Sequence, residues 1–259
     1  MAQTRTHATQ VGSFLAGLLT LLLAVSGLAQ VSQEFHRTVP LPANGQVSLD
    51  NVNGDVEITG WNRNEVQIDA VKKARDQQRL DEANIEVETG SDYVKIRTQY
   101  PHNHTNNNPA SVHYTLHVPQ NARLDSISLV NGSLTVQKVA GEVDAKLVNG
   151  KAHVSDLSGE ANISSVNGSV EANYASLSNV RQIKLKSVNG SIALNLPGSP
   201  NADVKASTVN GSMKSDFPLT VQGSFASHNL SGTLGSGGTR IELSNVNGSI
   251  HIGSGSASL

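Results

Sequence analysis

The chain has 259 residues, and its 19 Lys and Arg stand against 21 Asp and Glu, a formal net charge of −2. That balance excludes the electrostatic pull that basic domains exert on nucleic acid or anionic lipid. With no cysteine, the chain is neither a disulfide scaffold nor a lipoprotein anchored through Cys, and with 3% aromatic residues a broad core built on Phe, Tyr and Trp is excluded too.

In chain order, residues 1–29 come first. Arg5 and His7 precede an apolar run from Phe14 to Val25, and small residues Gly27 and Ala29 follow. This predicts a secretory signal peptide cleaved before Gln30. The alternative is a retained anchor, since Val11 to Ala29 is just long enough to cross a bilayer. Loss of Arg5 leaves 18 basic against 21 acidic residues, and no later segment is apolar enough to span a membrane. The mature protein is expected to be exported, to the periplasm or the cell surface.

Residues 30–123 are expected to form an irregular N-terminal β segment. Val47–Leu49, Val56–Ile58, Val66–Ile68, Ile85–Val87, Val94–Ile96 and Val112–Val118 alternate as strands do. The charged stretch Lys73 to Ala83 suits a short helix, and Pro101 to Ser111 an Asn/His-rich loop.

From residue 124 to 252 the pattern becomes regular. Val-Asn-Gly occurs seven times, at 52–54, 130–132, 148–150, 166–168, 188–190, 209–211 and 246–248. Weaker copies, Val139-Ala140-Gly141 and Leu157-Ser158-Gly159, reduce the finer period to nine residues. A short fixed period means units that bury their apolar sides by stacking on one another. Within each unit two apolar residues stand two apart, as in Val170/Ala172, Ile192/Leu194 and Ile250/Ile252, so each is a short strand with one face inward.

The corner residues are Asn53, Gly54, Asn131, Gly132, Asn149, Gly150, Asn167, Gly168, Asn189, Gly190, Asn210, Gly211, Asn247 and Gly248. Gly at such a corner is expected to supply a positive φ, which Asn also tolerates. The Asn amides could bond from one rung to the next, and the preceding Val is expected to seal the end of the core. The fold expected is all-β: a parallel β-solenoid, or β-helix, of nine-residue half-coils with about 18 to 22 residues per coil. The alternative is an antiparallel β-meander in which each Asn-Gly is a hairpin turn. Residues 253–259 are expected to be a flexible tail.

These residues resemble the bacterial putative-adhesin family of exported β-strand-repeat proteins, a domain of unknown function. The likeness rests on the signal segment, on Val52-Asn-Gly-Asp-Val-Glu-Ile-Thr-Gly-Trp61, on Glu65-Val-Gln-Ile68, and on Tyr114-Thr-Leu-His-Val-Pro119 leading into serial Asn-Gly-Ser strands. It covers about residues 46–252. It implies a β-helix-like fold and a role in adhesion or envelope contact, and it carries no catalytic residues to transfer.

Candidate chemistry is sparse. His102 and His104 with His113 and His117 could hold Zn²⁺ or Cu²⁺ if three converged, although no Cys or carboxylate spacing supports it and polar loops often carry spare histidines. Arg181, Lys184 and Lys186 form an outward basic row, with Asp144, Lys146 and Asp156 on an earlier coil. A uronic-acid lyase would need a base, a cation and usually Ca²⁺ in one cleft, whereas scattered charges commonly just keep a strand face soluble. Eight Asn-x-Ser/Thr sequons occur, five of them a by-product of the Asn-Gly-Ser corner. The expectation is therefore a non-enzymatic protein with no metal or cofactor. It would contact a cell-surface, glycan or envelope-protein ligand through extended polar faces, with no role in nucleic-acid binding. Alternatives are a periplasmic accessory or sensory scaffold, and a β-helix polysaccharide lyase or hydrolase.

Overall fold

The structure, a computed structural model, describes residues 30–101, 109–224 and 227–255. The expected signal segment 1–29, His102, His104 and tail residues 256–259 lie outside the described residues.

The N-terminal third holds β1 (Val31–Pro40), β2 (Gln46–Asn53), β3 (Val56–Trp61), β4 (Glu65–Ala74), helix α1 (Gln77–Glu82), β5 (Asn84–Thr89), β6 (Tyr93–Gln99) and β7 (Ser111–Pro119). The regular stretch follows as β8 (Arg123–Asn131), β9 (Leu134–Gln137), β10 (Val143–Asn149), β11 (Ala152–Leu157), β12 (Ala161–Asn167), β13 (Val170–Tyr174), β14 (Gln182–Asn189) and β15 (Ile192–Leu196). The chain ends in β16 (Ala202–Asn210), β17 (Met213–Ser215), β18 (Thr220–Ser224), β19 (Ser227–Leu234), β20 (Thr239–Asn247) and β21 (Ile250–Ser254).

The fold is all-β, with two large, mostly parallel sheets. One has the order β1-β4-β7-β3-β9-β11-β13-β15-β21-β17, the other β18-β19-β16-β20-β14-β12-β10-β8-β2-β6-β5. Through the repeat the chain passes from one sheet to the other at every turn. Strand β10 pairs in parallel with β12, Val143 opposite Ala161, and β12 with β14, Ala161 opposite Ile183. The antiparallel meander is thereby ruled out for this stretch.

Apolar alternation explains the core. On the first sheet the inward position stacks Tyr114, Val56, Leu134, Ala152, Val170, Ile192 and Ile250 in one column, every one of them buried. Small and β-branched side chains suit two sheets held close by short corners.

Antiparallel strands close both ends. β4 pairs with β7 and β1 with β4, β5 pairs with β6, and β19 pairs with β16 and then with β18. Strand β1 was not expected, because its buried positions are few. It pairs with β4 along the whole length from Val31/Ala74 to Pro40/Glu65, which extends β4 to Ala74 and shortens the helix expected over Lys73 to Ala83. The helix starts on Asp76, whose side chain accepts from the Arg79 N–H. Lys72 Nζ donates to the carbonyls of Leu80 and Ala83 at its far end.

The order of coils in space is not the order in sequence. The coil β20/β21 sits between β14/β15 and β16/β17, and the coil β2/β3 between β6/β7 and β8/β9. The first and last coils of the chain are thus each paired on both sides.

Candidate functional site

The Val-Asn-Gly corners form a single edge along seven coils. In spatial order their asparagines are Asn53, Asn131, Asn149, Asn167, Asn189, Asn247 and Asn210. Each Nδ2 donates to the Oδ1 of the asparagine before it, at 2.8 to 3.0 Å. All six bonds run the same way, so the amide dipoles align and reinforce one another. The backbone repeats the pattern, with Gly150 N–H donating to Asn167 O and Gly168 N–H to Asn189 O.

The glycines are required for a reason other than the one expected. Among the seven corners, only Gly54 (φ 117) and Gly248 (φ 145) have a positive φ. At Gly132, Gly150, Gly168, Gly190 and Gly211 the constraint is close approach. A Cβ there would fall on the carbonyl oxygen of the corner glycine in the adjoining coil.

Sequence reasoning also missed a set of buried polar residues two places before the corner Asn. Ser165 Oγ donates to Gly150 O, Ser187 Oγ to Gly168 O, Thr208 Oγ1 to Gly248 O, and Asn245 Nδ2 to Gly190 O. Asn51 Nδ2 reaches the carbonyls of Gly54 and Val112. A polar residue recurring at an inward-facing strand position was the signal available, with Leu129 and Leu147 holding the same place in β8 and β10.

The valines do not seal the core. Val52, Val130, Val148, Val166, Val188, Val209 and Val246 are 37% to 47% exposed. The corner strand keeps its alternation up to the turn, so the residue after an inward Ser165 or Leu147 must point out. The result is an exposed apolar stripe beside the amide ladder. Seven rungs at the usual strand spacing make it about 29 Å long. A contiguous apolar strip rimmed by polar residues is a common mark of an interaction surface.

The two sheet faces differ in charge. On the first, histidines pair with carboxylates: His36 with Asp69 at 2.8 Å, His153 with Glu171 at 3.3 Å, His251 with Asp216 at 3.3 Å, and His113 with Asp55 at 3.6 Å. Hydrogen bonds to Asp69 and Glu34 raise the His36 pKa. Burial would raise Asp69, but bonds from His36 and Gln67 outweigh it and hold Asp69 low. Asp216 is held low by its bond with His251 and by the Ser254 N–H. His117 stacks on Trp61 at 5.1 Å between centroids, and the Arg63 guanidinium lies 4.8 Å from the Trp61 ring. His113 and His117 are four residues apart on one strand, each with its own neighbours, so β7 does not bring them together. Among the described residues no group of three His, Cys, Asp or Glu could hold a metal.

On the second sheet, the row Asp144, Asn162, Lys184, Glu242, Lys205 crosses five strands, and the row Lys146, Ser164, Lys186, Ser244, Ser207 lies beside it. Arg181 stands just before β14 and is bonded to Glu160, not aligned with Lys184 and Lys186. Asp156 is the penultimate residue of β11, with φ 54, at a groove of about 800 Å³ on the opposite sheet that Ser155, Asn173 and Asn195 also line. The structure therefore separates Asp156 from Asp144 and Lys146.

An all-β protein of two parallel-paired sheets, joined along a ladder of Val-Asn-Gly corners, is the class that this architecture defines. Residues 132–253 match the family model described as Toastrack DUF4097. This region is similar to that family, a domain of unknown function, in agreement with the likeness to bacterial putative adhesins read from the sequence. A putative cell adhesion protein from Clostridium sporogenes is similar in fold, at 14% identity and a TM-score of 0.53, covering 87% of this chain and 100% of that one. A putative adhesin from Bacteroides fragilis is 14% identical with a TM-score of 0.40, covering 86% of this chain and 97% of that one. No curated protein matches the chain. Among the described residues, no helix is long and apolar enough to cross a membrane.

Proposed function

We propose that this chain is an exported, non-enzymatic β-solenoid that makes adhesive contact with a cell-surface, glycan or envelope-protein ligand. Its nine-residue half-coils, at about 18 to 22 residues per coil, would act as a scaffold for surface display, in the periplasm or on the cell surface, with no metal or cofactor. The observation that carries this reading is the continuity of the corner edge. Seven exposed valines and six amide bonds repeat along the molecule, beside outward rows of Ser, Asn and Lys. Such surfaces hold extended partners through many modest contacts, with the polar rungs giving register and the apolar stripe giving area.

The test is retention of the full chain on envelope fractions and on a polysaccharide panel, with polymer length measured in the same tubes. Retention without shortening is the expected result. Shortening of a polymer would overturn the non-enzymatic reading. Retention by one membrane protein alone would move the assignment to an accessory or sensory scaffold.

A further inference from the structure

On the outer face of the second sheet a groove of about 360 Å³ lies across β14, β20, β16 and β19. Its lining includes Lys184, Lys186, Lys205, Ser207, Asn229 and Glu242. These residues meet because β20 is inserted between β14 and β16. Lys184 and Lys205 both stand in register with Glu242, from opposite sides.

The groove is cationic in a chain that is acidic overall. Lys184 Nζ lies 3.9 Å from a Glu242 carboxylate oxygen. Lys186 and Lys205 make no ion pair or hydrogen bond with any described residue, so two ammonium groups are left uncompensated. They are exposed, and long apolar stems carry their charges over the groove. Lys186 and Lys205 are separated by two strand spacings across the sheet and two residues along it, about 12 Å at the backbone, a distance comparable to the length of a disaccharide.

The chemistry of the lining narrows the ligand. Ammonium groups are compact point charges that suit anionic groups spaced along a chain without demanding a planar, bidentate partner. Ser207, Ser244, Ser231 and Asn229 add hydroxyl and amide groups, which match the hydroxyls of a polyol. Among the described residues that line the groove none is aromatic, so they offer none of the stacking platforms on which single-stranded nucleic acids are held.

We propose that this groove binds an acidic polysaccharide, with the sugar carboxylates on Lys186 and Lys205 and the ring hydroxyls on the serines and Asn229. The proposal rests on the adhesive reading above and assigns it a ligand class and a place.

The experiment immobilises polygalacturonate, its carboxyl-reduced neutral counterpart and single-stranded DNA, and measures retention of the full chain. The variants are K186E/K205E and the milder K186Q/K205Q, whose melting is compared with that of the parent protein. Both pairs of side chains point to solvent, so the variants are expected to melt as the parent does. The expected result is retention on polygalacturonate only, falling at least tenfold in K186E/K205E, less in K186Q/K205Q, and weakening as salt is raised. Equal retention on the carboxyl-reduced polymer, preference for DNA, or unchanged retention of both folded variants would overturn the proposal. If envelope fractions still retain the protein in those cases, the adhesive reading stands without the groove. If they do not, both fall.

Discussion

Replacing Gly168 tests what the corners are for. A Cβ at residue 168 would lie on the carbonyl oxygen of Gly150 and 2.6 Å from its carbonyl carbon. Both atoms are backbone, so relief requires the two coils to part at the corner. Parting them would break the bonds from Gly150 N–H to Asn167 O at 3.1 Å, from Ser165 Oγ to Gly150 O at 3.1 Å, and from Asn167 Nδ2 to Asn149 Oδ1 at 2.8 Å. Three bonds at roughly 1 kcal/mol each give a loss of about 3 kcal/mol. Because the offending atom is Cβ, Gly168→Ala should lose nearly as much as Gly168→Val. Gly168→Asn should lose as much again, although Asn is the residue that best replaces Gly at a positive φ. Gly198→Ala is the control, since a Cβ there meets nothing within 4 Å and should change stability by no more than about 0.5 kcal/mol. The assay is urea unfolding of each variant, compared at constant slope. Gly168→Ala within about 0.5 kcal/mol of the parent, or rescue by Asn, would refute the close-approach argument.

Four further outcomes are expected. Asn167→Ala removes two ladder bonds at the exposed edge and should cost about 1–2 kcal/mol, read as a lower thermal midpoint; no shift would mean that the amide ladder contributes nothing to stability. Val148→Ser should change stability by less than about 0.5 kcal/mol, whereas Leu194→Ala, fully buried, should cost about 2–5 kcal/mol; comparable losses in urea would contradict the outward orientation of the valines. Burial pushes Tyr114 from 10.0 up to about 12, against a smaller lowering by its bond with Thr98. The unfolded chain therefore ionises this phenol first, and its contribution is complete below pH 10 and lost between pH 10 and about 12. Spectrophotometric titration of the parent against Tyr114→Phe checks it. His36, raised above 6.5 by Asp69 and Glu34, contributes fully below pH 6.5 and loses that contribution as pH climbs through its raised value. His36→Gln should flatten the melting profile in that window, and an unchanged slope would rule the pair out as its source.

Much of the strand pattern can be read directly, because period-two alternation is a local property. Val170/Ala172 and Ile192/Leu194 alternate as strand residues with one face inward, and a spacing of 18 residues between Val130, Val148 and Val166 favours a repeating coil over a meander. At the corners the local signal misleads. Asn-Gly suggests a positive φ and Val suggests a plug for the core, yet only two of the seven corner glycines have a positive φ, all seven lie against the backbone of a neighbouring coil, and all seven valines are half-exposed. Neither fact is visible in one unit, since each depends on where the next coil sits.

The sequence by itself determined the all-β class, the inward and outward residues of each regular strand, and the polar character of both faces, since each follows from side-chain type and a period of two. Only the tertiary structure decided which coils are neighbours. Strand pairing joins segments through backbone groups that all residues share, so no local pattern specifies that β20 enters between β14 and β16, or β2 between β6 and β8. That choice places Lys205 across Glu242 from Lys184 and completes the amide ladder through Asn247 to Asn210. It is made by the fit of two whole sheets against one core, a property that no nine-residue unit contains.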